Sequence, residues 1–321
     1  MSGPSFLSRS NILLLLTAII WGFAFVAQRV GMNYVGPFTF NGMRFVLGSL
    51  SLLPLLWFNY GRSGRALNVD LWAALWGGIP AGLVLFIGAT LQQVGVVYTT
   101  AGKAGFITGL YVVIVPLMGL LWGQRTGRRV WLGALLAVVG LYLLSVSEQL
   151  TIAPGDALVL IGAFFWAGHV QLIAWLTRKV DPLPLAFFQF VVCAILSLSV
   201  AALTEAVSMN DIVAAGLPIL YGGVMSVGVA YTLQVVGQKG AHPAHAAIIL
   251  SLETVFALLG GWLVLKEPLS LRGGLGSALM LSGMLVSQLE FRVDLLRRKG
   301  RVHPETADEL KVNAVGWRRG P

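Results

Sequence analysis

The chain has 321 residues, of which 57% are hydrophobic and only 11% are charged, and its mean hydropathy is +0.82. This composition excludes a soluble globular protein, because a soluble chain of this length needs far more polar surface. The net charge of +9 does not indicate nucleic-acid binding, since the basic residues fall in loops rather than on one basic face with interleaved aromatic residues.

Loop signals divide the chain into ten apolar segments, each close to the roughly 20 residues that a membrane-spanning helix needs. A transmembrane β-barrel would instead carry a polar residue at every second position. The predicted spans are 11–31, 37–59, 71–97, 101–123, 130–147, 156–177, 183–204, 212–238, 243–265 and 271–290. We therefore predict an all-α polytopic membrane protein with ten transmembrane helices.

The distribution of lysine and arginine predicts the orientation of the spans. If the N-terminus is cytoplasmic, 17 of the 22 basic residues lie in predicted cytoplasmic segments and four lie in outer loops. Positively charged loops resist translocation, so we expect both termini in the cytoplasm. The segment 291–321 is polar and basic, and we predict a cytoplasmic tail there.

The two halves of the chain carry related residues at an offset of 142 to 145 positions. The pairs are Trp21 and Trp166, Pro37 and Pro182, Leu91 and Leu233, and Gly133 and Gly276. Each half contains five predicted spans, and five is odd, so the second copy is expected to be inverted relative to the first. Such inverted repeats are typical of secondary transporters. The predicted domains are a cytoplasmic N-terminus at 1–10, repeats at 11–147 and 156–290, a linker at 148–155, and the tail.

Two charged residues lie well inside predicted spans, where a charge is costly. Glu253 is predicted to be a coupling or charge site for a proton or a substrate amine. The alternative is a structural carboxyl group that is held by hydrogen bonds between helices or is kept neutral. Arg44 lies one helical turn from Asn41. Arg44 would contact a substrate carboxylate, or it would serve a structural role by capping carbonyl groups or extending towards the membrane surface.

Aromatic and amide side chains form further faces at mid-depth. Trp21, Phe25 and Gln28 share one face of the first span, and Trp166 and His169 lie one turn apart in the sixth. These faces are predicted to line a substrate cavity, with helix packing as the alternative. His169 is also a candidate proton-relay residue. The predicted site is completed by four uncharged polar side chains: Gln92, Tyr98, Tyr231 and Gln234. They suit a polar ligand, and the alternative is that they form hydrogen bonds between helices.

Several segments together resemble the drug/metabolite transporter superfamily, specifically its EamA-type members. They are "WGFAF" in the first span, "FNGMRFVLGSL" in the second, "YTTAGKAGFITGLYVVIVPLMGLLWGQR" across the fourth and "AAIILSLETVFALLGGWLVLKEPLS" across the ninth. The resemblance covers roughly residues 10 to 290. It implies a basket of ten helices in two five-helix repeats. It also implies transport of amino acids, other small metabolites or amphipathic compounds, often outward.

These observations predict a secondary active transporter in a bacterial inner membrane that exports amino acids or related compounds by alternating access. The alternatives are an intramembrane lipid-modifying enzyme, which would need clustered carboxylates or histidines, and a facilitative channel. We predict no catalytic residue, no metal site and no cofactor. The expected partners are a small-molecule substrate, the lipid bilayer and a proton as a candidate coupling ion, but not nucleic acid. No particular oligomeric state is predicted.

Overall fold

A computed structural model describes residues 9–61, 70–98, 101–124, 126–145, 154–239, 241–265, 271–272 and 274–286. Every regular element in these ranges is helical. The α-helices are α1 (Arg9–Gly31), α2 (Pro37–Leu56), α3 (Leu71–Tyr98), α4 (Ala101–Gly109), α5 (Tyr111–Leu121), α6 (Arg128–Ser145), α7 (Pro154–Leu176), α8 (Pro182–Thr204), α9 (Met209–Ala214), α10 (Gly216–Leu220), α11 (Thr232–Gln238), α12 (Pro243–Leu250), α13 (Glu253–Leu265) and α14 (Gly274–Val286). Two π-helical segments, π1 (Trp57–Gly61) and π2 (Tyr221–Tyr231), follow α2 and α10.

Seven helical stretches of the described residues are long and apolar enough to cross a membrane. They coincide with the predicted spans one, two, three, six, seven, eight and nine. The predicted span 101–123 contains a shorter apolar helix, Ile107–Leu121, and 271–290 contains another, Gly274–Val286. The predicted span 130–147 falls on α6. The chain is therefore an all-helical, polytopic membrane protein over the part that the structure describes.

Three predicted spans change or break their helical structure well inside their length. Leu110 separates α4 from α5, and Ser251 with Leu252 separates α12 from α13. The predicted span 212–238 contains the eleven-residue segment π2. Hydrophobicity alone does not reveal these interruptions, because the residues that interrupt the helices are as small or apolar as their neighbours. These three segments are therefore helical but not regular α-helices throughout, and the count of ten transmembrane helices stays a prediction.

The helices of the two halves interleave in matched pairs. α3 lies against α7, and its counterpart in the second half, π2 with α11, lies against α1. α2 packs on its own counterpart, α8. The broken pair α4 and α5 packs on α7, just as α12 and α13 pack on α1. Each repeat therefore depends on the other for much of its packing, and the space between them is enclosed by both.

Equivalent prolines begin the second helix of each half. Pro37 is the first residue of α2 and Pro182 is the first residue of α8, where the missing backbone N–H costs no hydrogen bond.

Glu205, just after α8, accepts hydrogen bonds from the backbone N–H groups of Phe38 (2.9 Å) and Thr39 (2.8 Å). A carboxylate at a helix N-terminus satisfies unpaired donors and complements the helix dipole. Glu205 thus joins the end of α8 in the second half to the start of α2 in the first.

Glycines bring α6 and α14 into contact. A Cβ atom added at Gly140 would lie 2.5 Å from the carbonyl oxygen of Gly276, and one added at Gly283 would lie 2.5 Å from that of Gly133. The two contacts are counterparts, since Gly133 pairs with Gly276 and Gly140 with Gly283 at the same offset of 143 residues. Small residues permit such backbone approach where lipid provides no hydrophobic drive for association.

The predicted N-terminal segment 1–10, linker 148–155 and tail 291–321 lie wholly or largely outside the described residues. The predicted domain boundaries, the orientation of the termini and the count of ten crossings therefore stay predictions.

Candidate functional site

A cavity of about 500 Å³, including the space at its open side, lies between the two halves of the chain. Each half contributes seven residues to its lining. The first half supplies Trp21, Phe25, Gln28, Arg44, Gln92, Thr108 and Tyr111. The second half supplies Trp166, Val170, Ser226, Tyr231, Gln234, Leu250 and Glu253. Ligand sites in proteins are commonly concave spaces that combine aromatic surface with a few polar groups, as this one does.

Nine of the twelve residues predicted from the sequence line this cavity. They are Trp21, Phe25, Gln28, Arg44, Gln92, Trp166, Tyr231, Gln234 and Glu253. The other three do not line it. Tyr98 is 63% exposed at the end of α3, and Asn41 is fully buried in α2. His169 is also fully buried, with its Nε2 atom 2.9 Å from Oε1 of Gln189 on α8.

Arg44 is a buried cation without a counter-ion among the described residues. Its side chain is 3% exposed, and its guanidinium carbon lies 5.2 Å from the centre of the Phe45 ring and 5.7 Å from that of Phe40. The Nε atom has no hydrogen-bond partner. Cation–π contacts compensate only part of the cost of burying a charge. An anionic group entering the cavity would supply the missing partner.

Glu253 lies where the two broken helices meet. It begins α13, and its Oε1 atom accepts a hydrogen bond of 3.3 Å from the hydroxyl group of Tyr111, which begins α5. The two residues are 142 positions apart, so they are equivalent in the repeats, as are Gly109 and Ser251 just before them. Discontinuous helices are a common device for building transporter sites near the midplane. The Glu253 carboxylate is the only carboxylate among the described residues that line the cavity.

Aromatic rings form one wall of the cavity. The Tyr231 ring lies 4.6 Å from Trp21, measured between ring centres, and 6.2 Å from Trp166, against which it stacks. The Trp21 Nε1 atom donates to the carbonyl oxygen of Ser226 in π2 (3.2 Å), and the Thr17 hydroxyl group donates to that of Ala230 (3.1 Å). These bonds hold α1 against π2, and π-helical turns are frequent at functional sites.

Several polar groups of the cavity have no partner within the described part of the protein. They are the hydroxyl oxygen of Thr108, the amide oxygen of Gln234 and the indole nitrogen of Trp166. Gln28 and Gln92 form only a long hydrogen bond of 3.5 Å. Buried polar groups are normally satisfied, so unpaired ones beside a cavity favour a polar ligand or ordered water. Among the described residues, no three His, Cys, Asp or Glu side chains form a group that would hold a metal ion.

The family model of the EamA-like transporters matches this chain twice, over residues 8–146 and 153–288. The chain belongs to the EamA-like transporter family. The two matches have the length of the two halves and follow one another along the chain, as expected for a protein with an internal repeat.

Relatives of this EamA-like protein carry transporter names. An "Uncharacterized transporter" of Archaeoglobus fulgidus is 35% identical over 278 residues, which cover 86% of this chain and 84% of the relative. The "Uncharacterized inner membrane transporter YedA" of Escherichia coli K12 is 27% identical over 265 residues, which cover 78% of this chain and 81% of the relative. The family and these names indicate a transporter rather than an enzyme, and hence a membrane location and a small-molecule substrate.

A solved crystal structure has the same fold. It superimposes with a TM-score of 0.72 and 19% sequence identity, covering 87% of this chain and 96% of the other. The similarity shows that the helical arrangement described above is shared with a known protein.

Five cavity residues of this EamA-like transporter were not predicted from its sequence. They are Thr108, Tyr111, Val170, Ser226 and Leu250. A signal for one of them was present, because Tyr111 is the repeat equivalent of Glu253 at an offset of 142. Ser226 reaches the cavity within π2, and ordinary helical spacing from Tyr231 does not predict that position.

Proposed function

We propose that this EamA-like protein exports small carboxylate-bearing metabolites, above all amino acids and related amphipathic compounds, by alternating access. The observation that carries the proposal is Arg44, a buried guanidinium group beside the cavity with no anionic partner in the described structure. Arginine forms paired hydrogen bonds with carboxylates, and a charge held inside a membrane usually serves a substrate or ion pathway.

The other cavity residues suit the rest of such a substrate. Glu253 is available to contact an ammonium group, and the rings of Trp21, Trp166 and Tyr231 offer surface to apolar or cationic parts. A zwitterion would thereby place its carboxylate near the first repeat and its amine near the second. The amide groups of Gln28, Gln92 and Gln234 would donate and accept hydrogen bonds without adding charge.

The proposed mechanism uses the two repeats as inverted modules. With ten crossings and both termini in the cytoplasm, five spans per repeat would invert one module relative to the other, and rocking between them would open the cavity to each side in turn. The matched packing of α1 on π2 and α11, and of α3 on α7, supports this proposal. A proton taken up by Glu253 is the proposed coupling ion, and the bacterial inner membrane is the proposed location.

Flux measurements with the purified protein in liposomes test this proposal. We expect saturable counterflow of radiolabelled amino acids and no counterflow of the corresponding decarboxylated amines, because the amines lack the group that pairs with Arg44. Liposomes without protein are the control. Flux that rises linearly with concentration would indicate a channel, and equal transport of amines, or no flux of any compound in the panel, would contradict the proposed substrate class.

A further inference from the structure

A second cavity lies outside the site described above, at the opposite side of α7. It has a volume of about 1060 Å³, including the space at its open side. Trp122 and Gln124, just after α5, form one side, and residues of α7 and the turn that follows it form the other: Gly168, Gln171, Leu172, Trp175 and Arg178. We refer to it as the α5–α7 groove, defined by these seven residues.

The groove does not belong to the substrate cavity. Gly168, Gln171 and Trp175 share one face of α7, since residues three and four positions apart in a helix are neighbours. Trp166 and Val170, which line the substrate cavity, project from the opposite face, about 160° away at 100° per residue. α7 therefore separates the two spaces.

The face of α7 that carries the groove is the outer face of the helix bundle. Ile161 and Phe164, further along the same face, are 50% and 53% exposed. Trp175 and Trp122 are 52% and 59% exposed. In a membrane protein, apolar side chains exposed in this way face lipid, and tryptophan is enriched where the hydrocarbon meets the headgroups. The groove therefore opens to the bilayer.

The length of the groove matches one leaflet. Gly168 and Arg178 are ten positions apart, and Arg178 lies in the turn just after α7, so the distance between them is about 15 Å at the rise of a helix. The hydrocarbon core is about 30 Å thick, so each leaflet contributes about half of that. One end of the groove lies at mid-depth and the other at a helix end, where the proposed orientation places the cytoplasmic headgroups.

The headgroup end of the groove is positively charged. Arg178 is exposed and has no acidic partner among the described residues. The neighbouring Lys179 holds its ammonium nitrogen 3.9 Å from the centre of the Trp175 ring. Burial lowers the pKa of His242, and the charge of Arg178 lowers it further, so this ring adds less positive charge than an ordinary histidine would. Arg178 and Lys179 thus form a cationic pair without a salt bridge among the described residues, since the acid that follows them, Asp181, accepts from the backbone N–H of Leu183 at the start of α8 (3.2 Å).

The inner wall of the groove is fixed by its own hydrogen bonds. Gly123 has a φ angle of +70° and ends α5 in a Schellman turn, in which the backbone N–H of Gln124 donates to the Gly119 carbonyl oxygen at 2.9 Å. The turn lets the Gln124 amide donate to Gln171 at 2.8 Å, and Gln171 donates to the Val115 carbonyl oxygen at 2.9 Å. Because the amides of Gln124 and Gln171 already have hydrogen-bond partners, they do not need a polar ligand, and an acyl chain can lie beside them.

We propose that an anionic phospholipid of the cytoplasmic leaflet binds in the α5–α7 groove. Its phosphate group contacts Arg178 and Lys179, and one acyl chain lies along α7 between Trp122 and Trp175 as far as Gly168. Basic pockets between membrane helices on the cytoplasmic side are typical sites for anionic headgroups. This lipid site is separate from the substrate cavity and does not depend on the substrate proposed above.

Native mass spectrometry of the purified protein in detergent tests this site with phosphatidylglycerol and phosphatidylcholine that carry the same acyl chains. We expect the wild type to retain phosphatidylglycerol about tenfold better, because two cations face the headgroup. The double variant Arg178→Gln/Lys179→Gln should retain both lipids equally. Gly168→Leu, where an added Cβ atom meets only the tip of Met118 at 3.8 Å, should weaken both lipids alike by filling the chain end of the groove.

The control is Arg128→Gln, which removes another exposed arginine, at the start of α6 and outside the groove. It should keep the wild-type preference, and all variants should elute as single species in size-exclusion chromatography. Inorganic phosphate at millimolar concentration distinguishes a lipid site from a simple anion site, and it should not displace phosphatidylglycerol. An unchanged preference in the double variant, an equal loss in Arg128→Gln, or displacement by free phosphate would overturn the proposal.

Discussion

Arg44→Gln is expected to lower the apparent affinity for carboxylate-bearing substrates at least about thirtyfold. Loss of one partner of a buried charge pair typically costs about 2–5 kcal/mol, and 2 kcal/mol corresponds to that factor. Arg44→Lys should have an intermediate effect, because lysine keeps the charge but not the paired hydrogen bonds. Counterflow in liposomes measures the effect. Arg29→Gln, which removes an exposed arginine near the end of α1, is the matched control.

The same variant separates binding from folding. An unpaired buried charge destabilises a protein, so replacing Arg44 by glutamine should leave the Tm of the substrate-free protein unchanged or higher. The stabilisation that substrate adds to the wild type should be lost, because a ligand stabilises only the state to which it binds. A lower Tm together with an undiminished substrate-induced shift would instead assign Arg44 a structural role.

Glu253→Gln is expected to abolish the response of transport to an imposed pH gradient, while substrate exchange continues with a weaker apparent affinity because the contact with the ammonium group loses its charge. Glutamine keeps the size of the side chain and an oxygen that accepts from the Tyr111 hydroxyl group, but it takes up no proton. Since Glu253 is the only carboxylate among the described residues lining the cavity, the gradient-driven rate of the variant should fall to the rate without a gradient.

The control for this measurement is Asp211→Asn, which neutralises an exposed carboxylate in α9. That variant should respond to the gradient like the wild type. A Glu253→Gln protein that is still accelerated by the gradient would remove Glu253 from the coupling mechanism. It would leave the carboxylate as a substrate contact or a structural partner of Tyr111.

Two kinds of signal in the sequence predicted four of the cavity residues. Arg44 and Glu253 stand out because a charge is costly in hydrocarbon, and Trp21 and Trp166 stand out because they recur at the same position of the two repeats. All four line the cavity. Polarity at membrane depth is therefore an informative signal even in a single sequence.

Helical periodicity was less informative about which neighbour a side chain meets. His169 follows Trp166 by three residues, yet its ring nitrogen contacts Gln189 on α8 and does not line the cavity. Tyr98 is as polar as Tyr231 but lies exposed at the end of α3, a position typical of the aromatic residues at a membrane surface. The packing of neighbouring helices determines whether His169 and Tyr98 reach the cavity, and the pattern of residues within one helix does not predict that packing.

The broken helices were the principal structural feature that composition concealed. Neither Leu110 nor Leu252 interrupts an apolar run, so the spans appeared continuous. The equivalence of Tyr111 and Glu253 at an offset of 142 residues could have shown that both repeats bring the same position to the cavity. Their contact becomes visible only when the two halves are packed together.

Thiol accessibility from the two sides of the membrane tests the central claim, which is that one cavity between two repeats opens to each side in turn. Thr108→Cys, in a background with Cys193→Ala, places the only cysteine of the chain in the cavity lining. A membrane-impermeant maleimide should label this cysteine in both right-side-out and inside-out vesicles, and a transported substrate should slow labelling from either side. Labelling from one side only, or labelling that substrate does not slow, would contradict alternating access through this cavity.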